Sequence, residues 1–218
     1  LPSSLYLIVR EKKNLSKVFW GVLVFGVLWG FVFDFLETFN KAWIVGRLVF
    51  SQRIFGILPV DDIIGYALMT LFVIIFYEHF LDKSKGKSLS GNLIWGILPF
   101  LLVVICILVF FPFYPDLFKI PFVYLLGGFI AVIPTAVMIF YKPDLLPRFF
   151  KIAAFFFLVW FTSEFIALKT GGWYFPGQYI GEVKIFGVAF PFEELFFWMM
   201  LYASSISAYY EFFLDDLK

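Results

Sequence analysis

Cysteine, histidine and charge are all scarce in this chain. Among its 218 residues there is one cysteine, Cys106, and one histidine, His79. Cys106 lies inside an apolar run, cannot close an internal disulfide, and reads as a small packed hydrophobe. One histidine is too few for a His-based metal site, so no metal is expected and His79 reads as an interfacial side chain. There is no Gly-x-Gly-x-x-Gly fingerprint for a dinucleotide and no Walker loop. A formal net charge of +1, with no basic patch interleaved with aromatics, excludes nucleic acid as a partner. Charged residues make up only 15% of the chain, against roughly 25% in soluble domains.

What is abundant is apolar surface: 62% of the residues are hydrophobic and the mean hydropathy is +0.94. A water-soluble fold cannot hide that much, and the apolar residues gather into runs long enough to cross a hydrocarbon core of about 30 Å. Six runs are expected to be helical: Val18 to Phe39, Ile63 to Leu81, Leu93 to Phe111, Phe122 to Tyr141, Phe149 to Leu168, and Phe192 to Leu214. Proline punctuates them, with Pro112 and Pro115 ending the third, Pro121 opening the fourth, and Pro143 and Pro147 dividing the fourth from the fifth. The expected fold is therefore an all-α membrane protein of about six transmembrane helices, with the lipid bilayer as its main surroundings. Ser204, Ser205 and Ser207 interrupt the sixth run, which points to packing against protein. Gly26 and Gly30 form a small-xxx-small pattern suited to close helix approach. No span carries a lysine in its interior, which argues against a retinal Schiff base.

Lys and Arg set the expected orientation. Arg10, Lys12, Lys13 and Lys17, then Lys83, Lys85 and Lys87, then Lys142, Arg148 and Lys151 alternate with less basic connections, so the N-terminus is expected on the cytoplasmic side of a multi-pass protein of the cell membrane. Lys41, Arg47 and Arg53 on the opposite side blunt the contrast. The chain opens on Leu1, so processing or truncation at the N-terminus is expected.

The chain also repeats itself. A segment from Trp29 to Asp34, followed nine residues on by Trp43, recurs as Trp160 to Glu164, followed nine on by Trp173. Ile54-Phe55-Gly56 leads to Pro59-Val60-Asp61-Asp62, and Ile185-Phe186-Gly187 leads to Pro191-Phe192-Glu193-Glu194. Tyr77-Glu78-His79-Phe80-Leu81-Asp82 closes the first unit and Tyr210-Glu211-Phe212-Phe213-Leu214-Asp215 the second. Four spans separate corresponding helices, so the copies are expected to be parallel, with both acidic motifs near one membrane face, the non-cytoplasmic one.

Acids inside a span cost about 2.5–3.5 kcal/mol to insert at its centre and usually face a bundle interior. Pro59 and Pro191 place the acid pairs in the first turn of a helix, where the macrodipole favours carboxylates, so Asp61, Asp62, Glu193 and Glu194 also read as helix-start signals. Their repetition favours chemistry instead. Two adjacent acids in a poorly solvated site cannot readily both ionise, and a protonated acid beside an ionised one suits proton donation and recovery. Asp34 and Glu164 are expected to stand behind them. Most of the 34 phenylalanines read as lipid-facing, whereas Trp43, Trp173 and Tyr174 accompany the acids in the loops. They read either as belt anchors or as the lining of a pocket for an apolar, transiently cationic substrate.

These paired units, above all Pro191-Phe-Glu-Glu-Leu-Phe-Phe197 with the upstream Trp173 and Glu164, resemble the membrane-integral lycopene cyclase domain family. These are small carotenoid cyclases found as two-subunit bacterial enzymes or as fused single chains. The resemblance covers roughly residues 18 to 82 and 122 to 216. It implies a first cyclase-like repeat over 1–91 whose opening helix is missing, a connector helix over 92–115, and a second repeat over 116–218. The first unit departs from the pattern, with Asp61-Asp62 for the Glu pair and Trp43-Ile44-Val45 for Trp173-Tyr174-Phe175.

The resemblance further implies cofactor-free, non-redox cyclisation of the acyclic end group of lycopene or a related polyene. A carboxylic acid protonates the terminal double bond, the neighbouring alkene attacks the tertiary cation, and a carboxylate removes a proton. On that pattern Glu193 and Glu194 are the acid/base pair, Asp61 and Asp62 their counterparts, and Asp34 and Glu164 tune them. Trp43, Trp173, Tyr174, Phe192, Phe196 and Phe197 would hold the carotenoid. An intramembrane protease of the Glu-Glu type lacks its Arg and His partners here. A proton-coupled transporter or apolar-ligand carrier is the non-catalytic alternative. Ring type, the number of ends closed, and association into a homo-oligomer are left open.

Overall fold

The computed structural model describes residues 15–82 and 89–214. Arg10, Lys12, Lys13, Lys83, Lys85, Lys87 and Asp215, which entered the orientation and repeat arguments, lie outside the described residues. The described residues form a bundle of six helices: α1 (Leu15–Phe39), α2 (Val60–Asp82), α3 (Leu93–Phe110), α4 (Val123–Tyr141), α5 (Leu146–Thr170) and α6 (192–214). The first five helical segments are long and apolar enough to cross a membrane, counting with α5 the tight turn Pro143–Leu145 that leads into it. Helix α6 alternates wide π-helical turns (Glu194–Leu201 and Tyr210–Leu214) with an α-helical middle (Tyr202–Tyr209).

The glycine pattern in α1 acts as its spacing suggests. A Cβ on Gly26 would meet the Ala67 Cα at 3.0 Å, and one on Gly30 would meet the Tyr66 Cβ at 3.0 Å. Backbones that close cannot admit a larger residue, and without a hydrophobic drive in lipid such van der Waals contact is what joins helices. Helix α6 lies at the centre. Every residue from Tyr202 to Tyr210 is buried, Ser204, Ser205 and Ser207 among them, so the serines of the sixth run face protein. Helix α3 is the opposite case, exposing Leu98, Leu102, Ile105 and Leu108 and burying only Gly96 and Ile107. That apolar exposure fits a hydrocarbon solvent.

Among the described residues the loops contain structure that an all-α expectation omits: three two-stranded antiparallel ribbons. β1 (Ile44–Val45) pairs with β4 (Trp173–Tyr174), β2 (Arg53–Ile54) with β3 (Leu58–Pro59), and β5 (Glu182–Ile185) with β6 (Val188–Pro191). The last two are hairpins that turn on the Ile-Phe-Gly repeats. Phe55 and Gly56 have φ of 54° and 72°, Phe186 and Gly187 48° and 80°. Two consecutive positive φ values match the twist of a hairpin, and glycine takes the second without a steric penalty. Each hairpin ends on the proline that opens α2 or α6.

At the other end of the bundle the closing motifs cross over. The Tyr77 hydroxyl donates to Glu211, and the Tyr210 hydroxyl donates to Glu78. Arg148 on α5 reaches Asp82 at 3.1 Å and Glu211 at 3.5 Å.

Candidate active site

Each acid pair divides its labour at the start of its helix. Consecutive helical residues point about 100° apart, so the two carboxyls of each pair take different partners, although Asp61 and Asp62 both line one cavity. The first acid of each pair ties down a loop. Asp61 accepts the backbone N–H groups of Val49 and Phe50, the latter at 3.0 Å. Glu193, fully buried, accepts the N–H of Ile180 at 2.8 Å. The second acid of each pair turns inward. The expectation that Glu193 and Glu194 share one pocket as an acid/base pair is therefore corrected: Glu193 is a loop staple.

Asp62 and Glu194 face one cavity of about 470 Å³. Helix α2 supplies Asp61, Asp62 and Tyr66, α5 supplies Trp160 and Glu164, and α6 supplies Glu194, Trp198 and Tyr202. Trp43 and Trp173 form its roof, where β1 pairs with β4. Their rings meet edge to face, 6.2 Å between centroids. Behind each ring stands an acid. The Trp43 Nε1–H donates to Asp34 at 2.9 Å, and the Trp173 Nε1–H donates to Glu164 at 2.7 Å. Glu164 lines the cavity within electrostatic reach of Glu194, while Asp34 is completely buried beside Asp62 and does not line it.

The cavity opens sideways between α2 and α5. A Cβ on Gly65 would meet nothing within 4 Å, and Ser163 across the gap is exposed. Further along, the same two helices close on each other through Phe72–Phe156 and Phe76–Phe155 ring contacts at 5.0 and 4.4 Å. The gap is thus shut at its far end.

Four residues expected to hold a substrate stand elsewhere. Tyr174 is half exposed, its backbone paired with Ile44. Phe192 and Phe196 stack on each other on the outer face of α6, exposed by 39% and 37%. Phe197 is buried against Gly128 and Phe129 on α4. In their place the walls are Tyr66, Trp160, Trp198 and Tyr202, with Tyr124 reaching in from α4. The Tyr124 hydroxyl donates to Glu194 and locks that carboxyl's orientation. Of these only Trp160 stood in a motif visible in the sequence.

One further acid was missed altogether. Glu37, one turn beyond Asp34 on α1, is 1% exposed, and neither carboxyl oxygen has a hydrogen-bond partner among the described residues. An intramembrane acid spaced three residues from another was the available signal. Nearby, Tyr179 in the loop before β5 donates its hydroxyl to the Ala42 carbonyl. Burial, together with the carboxyls of Glu37 and Glu194, pushes that hydroxyl's pKa up, so it stays a donor.

Chemically the cavity offers carboxyl groups at two sides of a space walled by indole and phenol rings. Such walls exclude water and present negative π faces, which stabilise a cation. Among the described residues no group of three or more His, Cys, Asp or Glu side chains is arranged to hold a metal ion. No protein-family model, curated protein or solved structure matches the chain.

Proposed function

We propose that this protein is a carotenoid cyclase of the lycopene type, built from two parallel pseudo-symmetric repeats joined by α3. The observation that carries the reading is the convergence of Glu164 and Glu194 on a cavity walled by tryptophan and tyrosine. A polyene end group is apolar and enters from the bilayer. Glu194, oriented by Tyr124, protonates the terminal double bond. The tertiary cation is attacked by the next alkene, closing the ring beneath Trp43 and Trp173. Glu164 takes the proton lost from the ring, so the sum is an isomerisation with no electrons exchanged and no cofactor consumed.

Matched contacts support the repeat. Aligned on the Pro-x-acid-acid motifs, with a gap of two residues before them and one after, Asp34–Trp43 corresponds to Glu164–Trp173, and the Tyr77–Glu211 bond corresponds to Tyr210–Glu78. Eight residues past Asp62 and Glu194, the corresponding Thr70 and Tyr202 meet each other at 3.0 Å. In this reading the first half, whose Asp34 is sealed from the cavity, supplies framework, and the second half supplies the reacting acids. The protein resides in the cell membrane with its N-terminus on the cytoplasmic side.

The test is to incubate the purified protein with lycopene and analyse the product for a cyclohexene ring. Ring formation that falls on the order of 10²-fold or more in both Glu194→Gln and Glu164→Gln supports the reading. Intact lycopene at the end of the reaction, carried or merely bound, sinks it in favour of an apolar-ligand carrier.

A further inference from the structure

The β5–β6 hairpin lies along the last turns of α5. Phe190 on β6, fully buried, stacks on Phe161 at 5.7 Å, and Phe186 at the tip meets Phe165 edge to face at 6.3 Å. The stretch of α5 between Lys151 and Lys169 carries no Lys or Arg and spans about 25 Å at the rise of a helix. That length fits inside a hydrocarbon core of about 30 Å. Phe165 falls near the outer end of the stretch, so the hairpin tip stands beside a spanning segment and does not project past it.

The strands of the hairpin have a packed face and a polar one. Val183, Ile185 and Val188 are half-buried and Phe190 is buried, whereas Glu182, Lys184 and Ala189 are exposed. Glu182 and Ala189 line a depression of about 460 Å³ with Lys169 and Trp173, so the polar face turns toward the loops. Phe186 follows neither pattern. It is 85% exposed, and among the described residues its one ring contact is Phe165. Its φ of 48° lies where a Cβ is crowded, and glycine, asparagine or aspartate is the usual choice at the first position of such a turn. A phenylalanine held there in water would lose on both counts. A phenyl ring moved into hydrocarbon gains at least as much as that conformation costs.

The first half carries the same device, covered by protein. Phe55, with φ of 54°, meets Phe35 edge to face at 6.0 Å, and Phe35 follows Asp34 as Phe165 follows Glu164. There Phe111, the residue after α3, closes on both rings at 6.2 and 5.0 Å, so Phe55 is only 43% exposed and Phe35 is fully buried. Among the described residues no helix takes the part of α3 beside Phe186.

We propose that the β5–β6 hairpin is an interfacial anchor whose tip, Phe186, inserts into a phospholipid surface just below the headgroups. Lys169, its Nζ 5.5 Å from the centre of the Phe165 ring, and the exposed Lys184 then lie at the level of the phosphates. Lipid suits the place better than a second copy of the chain, because a polar face beside an apolar tip matches the boundary between water and hydrocarbon, whereas a helix packed there would bury Glu182 and Lys184. The base of the hairpin follows Ile180, which Glu193 holds, and its end is the proline that opens α6. The anchor therefore fixes the depth of the first turn of α6, whether or not the cavity closes a ring.

Spin labelling of the full chain in phosphatidylcholine nanodiscs tests it. With the exposed Cys106 replaced by alanine, a nitroxide is attached at Phe186→Cys or, for comparison, at Lys184→Cys. The label at 186 should collide with oxygen severalfold more often than with a water-soluble nickel chelate, and the label at 184 should show the reverse order. A label at 186 that meets nickel as often as the one at 184 places the tip in water and overturns the proposal. So does a label shielded from both reagents, with spin-spin broadening that disappears on dilution with unlabelled protein, because a second copy then covers the tip. A separate variant leaves the turn unstrained: Phe186→Asn suits the positive φ and removes only the ring. In nanodiscs trypsin should cut it after Lys184 severalfold faster than the wild type, and cleavage no faster than in the wild type also overturns the anchor.

Discussion

Trp43 and Trp173 meet edge to face over the cavity, 6.2 Å apart, and each ties its indole N–H to an acid nine residues before it. The two acids differ in what they face: Glu164 lines the cavity and Asp34 is sealed behind Asp62. Replacing each tryptophan by phenylalanine keeps the ring and deletes the donor, which leaves a buried carboxyl short of a partner at about 1–3 kcal/mol. Trp173→Phe is expected to lower ring formation on the order of tenfold, since 1.4 kcal/mol corresponds to that factor. Trp43→Phe is expected to lower the melting temperature with a smaller effect on turnover. Product yields and thermal unfolding of the two variants in detergent check the contrast, and equal effects on turnover would refute the division between the halves.

The loop staple makes a different prediction. Glu193 holds Ile180 through a single 2.8 Å bond to its backbone and does not reach the cavity. Glu193→Gln offers a neutral oxygen at the same position and should retain much of the activity of the unmodified protein. Glu193→Ala removes the acceptor and should make the 171–181 loop more sensitive to limited proteolysis. Should Glu193→Gln be as inactive as Glu194→Gln, the assignment of the loop role fails.

Much of the bundle was legible because lipid imposes one simple rule: a spanning segment must be long, apolar and helical. Five spans begin and end within a few residues of where proline and charge place them. The site was legible only in part. Adjacent acids read naturally as partners, but a helix turns about 100° per residue and sends Glu193 and Glu194 to different neighbours. Phe192 and Phe196 face outward for a related reason. In a membrane both the core and the solvent are apolar, so hydrophobic pattern cannot tell a helix's inner face from its outer one. Tyr124 and Glu37 are brought to their places by packing between α1, α4 and α6, which no local motif records. The two hairpins turn on the repeated Ile-Phe-Gly, a signal in the sequence that an all-α reading passes over.

The sideways opening gives a steric prediction. Gly65 lines the cavity and a Cβ there meets no described atom within 4 Å, so a large side chain fits without displacing Tyr66, Ala67 and Thr70, which pack on Gly30 and Gly26 of α1. Gly65→Phe should leave folding intact, as judged by monodisperse gel filtration and an unchanged melting temperature. It should raise the polyene concentration needed for half-maximal turnover severalfold, because entry is obstructed while Glu164 and Glu194 are untouched. Unaltered kinetics in this variant would mean that substrate reaches the acids by another route.

The crossed pairs at the far end of the bundle provide the last test, one that depends on no assumption about chemistry. The Tyr77 hydroxyl donates to Glu211 on the partner half and the Tyr210 hydroxyl donates to Glu78. All four side chains are at least 97% buried, so each bond is made away from water. Removing either hydroxyl takes a donor from a buried carboxyl, and each of Tyr77→Phe and Tyr210→Phe is expected to destabilise the protein by about 1–3 kcal/mol. Arg148 also reaches Glu211, at 3.5 Å, and can partly cover the loss at that carboxyl. Adding Arg148→Gln to Tyr77→Phe should therefore cost more stability than Arg148→Gln costs in the unmodified protein. Unfolding of the single and double variants, followed by tryptophan fluorescence in mixed micelles, gives the comparison. If Arg148→Gln costs no more in Tyr77→Phe than in the unmodified protein, Arg148 does not cover for the lost hydroxyl and the cluster is held together in some other way.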